Sequence, residues 1–159
     1  GVVGLAYDCE THSLYASSLA GSTGEAEVGR IFRLDLAAGR IASRLEGVDC
    51  LGVGVHRGPN GKRLYCGSAR GPLVRSWALD ASGDAVGDGR LDLSLGQQVS
   101  GGRNTVRRIR FTADGRMELR LFEFRYSLHV GGERIEDVLL FAYDPARDRW
   151  SFVAVAPPG

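Results

Sequence analysis

One acidic stretch of the chain has side chains of the type and spacing that could bind a divalent cation. Oxygen-bearing side chains occupy its first, third, fifth and ninth positions, and they belong to Asp80, Ser82, Asp84 and Asp88. A short loop with this spacing can wrap oxygen ligands around Ca²⁺. However, the sixth position is Ala85 instead of glycine, and the twelfth is Leu91 instead of glutamate. The stretch predicts either a site for Ca²⁺ or another divalent cation or, as the default, a turn whose Asp and Ser side chains bond backbone amides.

A second set of polar side chains is predicted to lie where the first strands of successive sheets end. The set comprises Asp8, Glu10, His56, Arg57 and Asp114. If these strand ends meet around a central channel, the groups would form a polar ring that binds a ligand. The alternative is that they cap turns and pair with one another at the surface, which is the expected arrangement for most such groups.

The sequence shows no other catalytic constellation. The three histidines, His12, His56 and His129, have no evident nucleophile as a partner. The chain contains neither a GxSxG nucleophile elbow nor an HExxH metal-binding helix. Catalytic residues therefore stay unassigned, and a binding role is favoured over an enzymatic one.

The cysteines are three in number, Cys9, Cys50 and Cys66, and none belongs to a CxxC pair. An odd number without metal-ligand spacing favours reduced, partly buried thiols. One disulfide with a free thiol is the alternative, and a zinc site is disfavoured.

The charge balance gives no reason to expect nucleic acid as a partner. Twenty Lys and Arg face nineteen Asp and Glu, for a formal net charge of +1. A local basic run is interpreted as an exposed strand face, because no aromatic stacking platform accompanies it; it consists of Arg103, Arg107, Arg108 and Arg110.

No apolar run approaches the roughly 18 residues of a membrane span. The compartment is left open, since no signal segment is evident and the chain does not begin with Met.

The elements that must position these residues are short antiparallel strands. Residues 51–83 contain three β-rich runs, at 53–56, 63–66 and 74–79, separated by a Pro-Asn-Gly turn and a Gly-rich connection. Comparable runs occur at 2–8, 13–18, 30–36 and 40–45 before this unit, and at 90–95, 108–111, 117–119, 137–144 and 150–156 after it. Residues 118–128 alternate for longer than one sheet strand needs, which suggests a hairpin arm or an edge strand.

Three imperfect repeats of about 45 to 55 residues follow from these runs. Leu14-Tyr15 recurs as Leu64-Tyr65, and an aromatic-x-apolar-Asp ending recurs at 32–35, 77–80 and 141–144. Spacing of this kind is typical of propeller blades. We therefore predict one all-β domain of three four-stranded meanders, with blades at about 1–47, 48–104 and 105–159. A polar connector at 97–104 would join the last two, and the loop at 20–27 is interpreted as a tolerated insertion.

Residues 58–65 and 74–83 resemble a blade of the gluconolactonase and SMP-thirty-like propellers, and residues 131–150 resemble one kelch repeat. The first resemblance implies a lactone hydrolase with a divalent metal in a central channel, where the cation activates water or the lactone carbonyl. At the place of that family's metal-neighbouring aspartate this chain has Ser68, and residues 51–54 lack the expected asparagine. We therefore expect a binding or assembly module first and a lactonase-like hydrolase second.

Three blades are fewer than the four to eight with which propellers close, so their outer edges and faces would be open. The sequence thus predicts self-association, with two copies forming a six-bladed ring, or a partner that supplies the missing blades. A compact domain of three sheets that is not a propeller is the remaining possibility.

Overall fold

The computed structural model describes residues 1–96, 105–122 and 137–156. Within these ranges the chain forms twelve β-strands and no helix. The strands of the first third are β1 (Val2–Asp8), β2 (Ser13–Ser18), β3 (Arg30–Asp35) and β4 (Arg40–Glu46). Those of the middle third are β5 (Cys50–Gly58), β6 (Gly61–Ser68), β7 (Leu73–Leu79) and β8 (Ala85–Ser94). The last four are β9 (Thr105–Phe111), β10 (Met117–Phe122), β11 (Asp137–Asp144) and β12 (Arg149–Ala156).

The strands form three antiparallel sheets of four strands each, in the orders β1-β2-β3-β4, β5-β6-β7-β8 and β9-β10-β11-β12. Each sheet is therefore a simple meander, none closes into a barrel, and the predicted all-β class with three propeller-like blades is confirmed. We call the sheets blades 1, 2 and 3. The predicted connector at 97–104, most of the long alternating segment, the Gly131-Gly132 turn and the final residues 157–159 lie outside the described residues.

The first strands of the blades lie side by side, β1 next to β5 and β5 next to β9. The blades pack on one another through their faces, and we call the face turned toward the previous blade the leading face and the opposite one the trailing face. One core lies between blades 1 and 2 and includes Tyr15, Ile31, Leu64 and Trp77. The other lies between blades 2 and 3 and includes Tyr65, Val74, Leu119 and Phe141.

The same irregularity occurs in the first strand of every blade. A one-residue β-bulge interrupts the pairing with the second strand at Val3, Leu51 and Arg107. Because a bulge shifts the register by one residue, it serves as a common reference point for aligning the three strands. The residues after the bulges, Gly4, Gly52 and Arg108, then hold equivalent positions.

Two of these positions favour glycine because the first strand of the next blade passes very close. A Cβ atom on Gly4 would lie 2.4 Å from the Leu51 carbonyl oxygen. A Cβ atom on Gly52 would lie 3.0 Å from the Arg107 carbonyl oxygen. The missing side chain thus lets each bulge sit directly against the previous blade.

The favoured prediction of three reduced cysteines is wrong, and the alternative of one disulfide with a free thiol is confirmed. Cys50 and Cys66 form a disulfide between β5 and β6, and both are buried in the core between blades 1 and 2. Cys9 is free and exposed. The bulge at Leu51 and the antiparallel register bring Cys50 next to Cys66 although sixteen positions separate them in the chain, and this proximity is a product of strand pairing that the spacing of cysteines alone does not show.

Close packing at the first strands predicts that Gly4→Ala destabilises the fold. The new methyl group would meet Leu51 and Ser17, both part of packed strands, so the strands must separate, at a cost of about 1–3 kcal/mol. Gly24→Ala is the matched control, since nothing lies within 4 Å of the added Cβ; its free energy of unfolding should change by less than about 0.5 kcal/mol. Urea denaturation of the two variants measures both, and equal midpoints would contradict the close approach.

Candidate functional site

The ends of the first strands of blades 1 and 2 meet in a network of ion pairs. Lys62 Nζ lies 2.6 Å from Asp8 Oδ2 and 2.9 Å from Glu10 Oε2. Arg57 donates to Glu10 from the solvent side at 2.7 Å, and the Thr11 hydroxyl donates to Asp8 at 2.7 Å. The side chains of Lys62 and Asp8 are only 5% and 7% exposed, so the central pair is buried. The network joins blade 1 to blade 2.

The electrostatics of this network favour the charged forms. Burial alone would raise the pKa of the Asp8 carboxyl, but hydrogen bonds from Lys62 and Thr11 and the Lys62 charge outweigh burial and lower that pKa. Burial likewise opposes the charge on Lys62, yet bonds to Asp8 and Glu10 raise the pKa of its ammonium group. Hydrogen bonds from Arg57 and Lys62 lower the pKa of Glu10 from 4.5 to about 2. Each carboxylate therefore stays ionised and paired at neutral pH.

His56 lies next to this network along the chain but faces the other way, toward blade 3. Its ring stacks on Phe111 with centroids 4.4 Å apart and an interplanar angle of 8°. Trp150, at 6.0 Å, completes the aromatic surroundings. Burial among these rings lowers the pKa of His56. The imidazole is therefore neutral at physiological pH and acts as part of the packing between blades 2 and 3.

Asp114 lies in the turn between β9 and β10, apart from the other candidates. The Thr112 hydroxyl donates to its carboxylate, and Arg116 pairs with it at 3.4 Å. The bond from Thr112 is the main reason that the pKa of Asp114 is lowered. Of the five residues predicted to form a polar ring, the structure thus brings together Asp8, Glu10 and Arg57, and places His56 and Asp114 elsewhere.

The acidic stretch is divided between a turn and a strand. Asp80 accepts bonds from the backbone amides of Ser82 and Asp84, at 2.9 and 3.0 Å, as the default interpretation expected. The Asp84 carboxylate accepts bonds from Arg33 at 2.7 Å and Ser43 at 2.6 Å, both in blade 1. Asp88 lies within β8. In the described part of the chain, no three His, Cys, Asp or Glu side chains converge as a cation site requires, and divalent-cation binding stays a prediction.

The long polar loop before β3 is fastened by Arg70. The guanidinium group donates to the carbonyl oxygens of Thr23, Gly24 and Ala26 and, at 3.1 Å, to buried Asp49. Several directed, charge-assisted bonds thus hold this loop to Arg70, and its interpretation as a tolerated insertion stays a prediction.

A cleft of about 440 Å³ runs along the first strands of all three blades. It is lined by residues 3–5, 51–53 and 107–110. Arg107, Arg108 and Arg110 are exposed along β9, as the basic run predicted, while Arg103 lies outside the described residues.

The leading face of blade 1 is the most unusual surface in the structure. Register places Leu5 of blade 1 at the position of Val53 in blade 2 and Ile109 in blade 3. Val53 and Ile109 are 5% and 7% exposed because a blade covers them, whereas Leu5 is 60% exposed and its neighbour Tyr7 is 54% exposed. We call the surface around Leu5, Tyr7 and Ile41 the open face of blade 1. Its side chains are of the apolar types that normally form a core, but they are exposed to solvent.

Comparison with known proteins found no family and no curated protein that matches this chain. The resemblance to gluconolactonase and kelch repeats therefore stays a prediction.

No helix in the described ranges has the length and apolar character that crossing a membrane would demand.

Two residues that matter at these sites were not identified from the sequence. Lys62 was assigned no role, although it is the cation on which Asp8 and Glu10 converge. Arg70 was not singled out at all. The predicted hairpin turn was a usable signal for Lys62. A hairpin that pairs Gly58 with Gly61 also pairs Lys62 with Arg57, and this places Lys62 at the end of β6, beside the carboxylates.

Removing the buried cation should destabilise the fold strongly. Lys62→Met leaves the Asp8 carboxylate buried without its partner, and we expect a loss of about 3–5 kcal/mol in the free energy of unfolding. Arg57→Met is the matched control: Arg57 is 58% exposed in its pair with Glu10, and we expect a much smaller loss. Chemical denaturation at pH 7 measures both variants. Similar small losses would show that the Asp8–Lys62 pair does not hold the blades together.

The lowered pKa of Glu10 predicts a specific pH dependence. A carboxyl whose pKa is about 2 in the folded chain and 4.5 in the unfolded chain binds fewer protons when folded. Its contribution is therefore fully present above about pH 4.5 and is lost as the pH falls toward 2. Wild type should melt above Glu10→Gln at pH 7, and the difference between their melting temperatures should shrink below pH 4.5. A difference that stays constant down to pH 2.5, roughly half a unit above the folded pKa, would contradict the ion-pair assignment.

Proposed function

We propose that this chain is a β-propeller-type binding or assembly module that works through the surfaces it presents. The observation that carries the proposal is the open face of blade 1. Equivalent faces of blades 2 and 3 are each covered by a blade, and the residues there are of the same apolar types. Blades 2 and 3 use their leading faces to pack on the preceding blade, and the leading face of blade 1 is the same kind of surface left uncovered. We therefore infer that it packs on a partner.

The polar groups support the same proposal because they serve contacts between blades. Asp8 and Glu10 are paired with Lys62, and Asp84 binds Arg33 and Ser43 across the first blade interface. Across the second interface, Asn60 donates to the Tyr143 hydroxyl at 2.7 Å, and Arg90 pairs with Asp148 at 2.7 Å. These groups fix how one blade sits on the next, which is the chemistry of an assembly.

The alternative, a lactonase-like hydrolase, requires oxygen ligands that converge on a divalent cation. The carboxylates nearest to the first-strand ends are instead engaged by Lys62 and Arg57. Because no observation on the described residues favours the hydrolase, it is not proposed as a second function.

Charged substitutions on the open face test the proposal. Leu5→Glu/Tyr7→Glu should leave the free energy of unfolding within about 1 kcal/mol of wild type, because both side chains are already in solvent. The folded wild type should bind a dye that fluoresces on apolar surfaces, and the double variant should bind it much more weakly. Denaturation curves and dye titration measure these two properties.

The matched control is Val53→Glu, the same strand position in blade 2, where a charge would be buried and the fold should be lost. If Leu5→Glu/Tyr7→Glu unfolds the chain as Val53→Glu does, the open face is part of this chain's own core. The proposed assembly role would then be wrong.

A further inference from the structure

We propose that the open face of blade 1 docks a further four-stranded blade from outside these 159 residues, whose trailing face carries glycine at the position of Gly4 and Gly52. The inference rests on the proposed function and specifies the partner. Blade 3 of a second copy does not have this chemistry.

The steric requirement comes from the bulge in the first strand. In both observed interfaces, the bulge of one blade approaches a glycine of the previous blade, Leu51 against Gly4 and Arg107 against Gly52. Blade 1 has the same bulge at Val3, on its own first strand. A blade that packs on blade 1 in the same way must therefore leave the same gap, and glycine leaves it without displacing the neighbouring backbone.

A second position of the partner must also be small. In blade 2 it is Gly67, on β6, where a Cβ atom would lie 2.6 Å from the Val106 carbonyl oxygen. Register places Ser17 at the equivalent position in blade 1, and Ser17 is fully buried under blade 2. The partner should thus combine glycine on its first strand with glycine or serine on its second.

The apolar residues of the partner follow from the same alignment. Tyr15 and Tyr65 hold equivalent positions two residues before these small residues, and both reach across to the next blade. The Tyr15 hydroxyl donates to the Gly83 carbonyl oxygen at 2.5 Å, and Tyr65 accepts a bond from Trp150 at 3.4 Å. We expect a tyrosine here, with a sequence pattern of Tyr-x-small on the second strand.

The trailing face of blade 3 differs at all of these positions. Arg108 stands where Gly4 and Gly52 do, Arg120 stands where Ser17 and Gly67 do, and Glu118 replaces the tyrosine. A long side chain at Arg108 would occupy the space that the bulge of the next blade needs. Ring closure by two copies, one of the two arrangements predicted from the blade count, would press this charged face onto Leu5 and Tyr7. The geometry therefore points to the other arrangement, in which a partner supplies the missing blade.

The test uses a chain in which a copy of residues 1–47, the blade with the required glycine, is fused ahead of Gly1 through a short Gly-Ser linker. The original Leu5 is replaced by cysteine as a probe, and both copies of Cys9, the free and exposed thiol, are changed to serine. A maleimide reports how accessible the cysteine at position 5 is. The Cys50–Cys66 disulfide is buried and does not react.

In the unfused chain the probe should react at the rate of an exposed thiol. In the fused chain the rate should fall by at least about tenfold, because the added blade covers it. The control is the same fusion with Gly4→Arg in the added copy, which imitates Arg108 and should react as fast as the unfused chain.

Three outcomes would overturn the proposal. The first is rapid maleimide reaction of the cysteine at position 5 in the fused chain, whether or not the added copy folds. The second is equal protection with glycine and with arginine in the added copy. The third is protection in the unfused chain together with a doubled mass by light scattering, which would make a second copy the occupant. A slow reaction in an unfused monomer would instead show that the open face is covered by its own chain, and the proposed function would fall as well.

Discussion

The fold depends on how closely the first strand of one blade can approach the first strand of the next. Gly4 and Gly52 allow a backbone carbonyl to lie where a side chain would otherwise be. Glycine within a strand costs about 0.5–1 kcal/mol in conformational entropy. The approach, however, lets Tyr15, Leu64 and Trp77 leave solvent almost entirely, and each large apolar side chain contributes about 1.5–3 kcal/mol when buried. The burial term is the larger, so the glycines are favourable overall.

The Asp8–Lys62 pair has a different role from the apolar core. A buried ion pair gains Coulomb energy but loses the hydration of both charges, so its net contribution to stability is small compared with the cost of breaking it. The pair instead fixes the position of blade 2 relative to blade 1. Asp8 is on β1 and Lys62 on β6, and a carboxylate with a lowered pKa accepts its bond only if blade 2 has the observed position relative to blade 1. The disulfide in the adjacent core fixes β5 to β6 and thereby holds the strand that carries Lys62.

Local patterns predicted the strands well and the contacts between sheets poorly. The bounds of β1, β2 and β11 agree with the alternation of apolar residues, because that alternation is set within each strand. Lys62 was missed because its function depends on two carboxylates from another sheet. The separate locations of His56 and Arg57 follow from strand geometry, since consecutive side chains point to opposite faces. The exposure of Leu5 could not be predicted, because Leu5, Val53 and Ile109 are alike in sequence and differ only in what packs on them.

The two ends of the three-blade stack differ in the side chains that they present. A surface that binds a different surface of the same molecule produces a ring if the geometry closes and a filament if it does not. Blade 1 presents an apolar face with Leu5 and Tyr7, so a complementary face on blade 3 would let copies join end to end without limit. Arg108, Glu118 and Arg120 make the trailing face of blade 3 charged at the positions where the other blades have glycine, serine or tyrosine. Glu118 and Arg120 pair with each other at 3.5 Å, and packing this charged surface against Leu5 and Tyr7 would remove water from charged groups that an apolar face cannot bond. Under the proposed docking, this difference in charge disfavours one copy capping another and leaves the apolar end available for a blade with the right small residues.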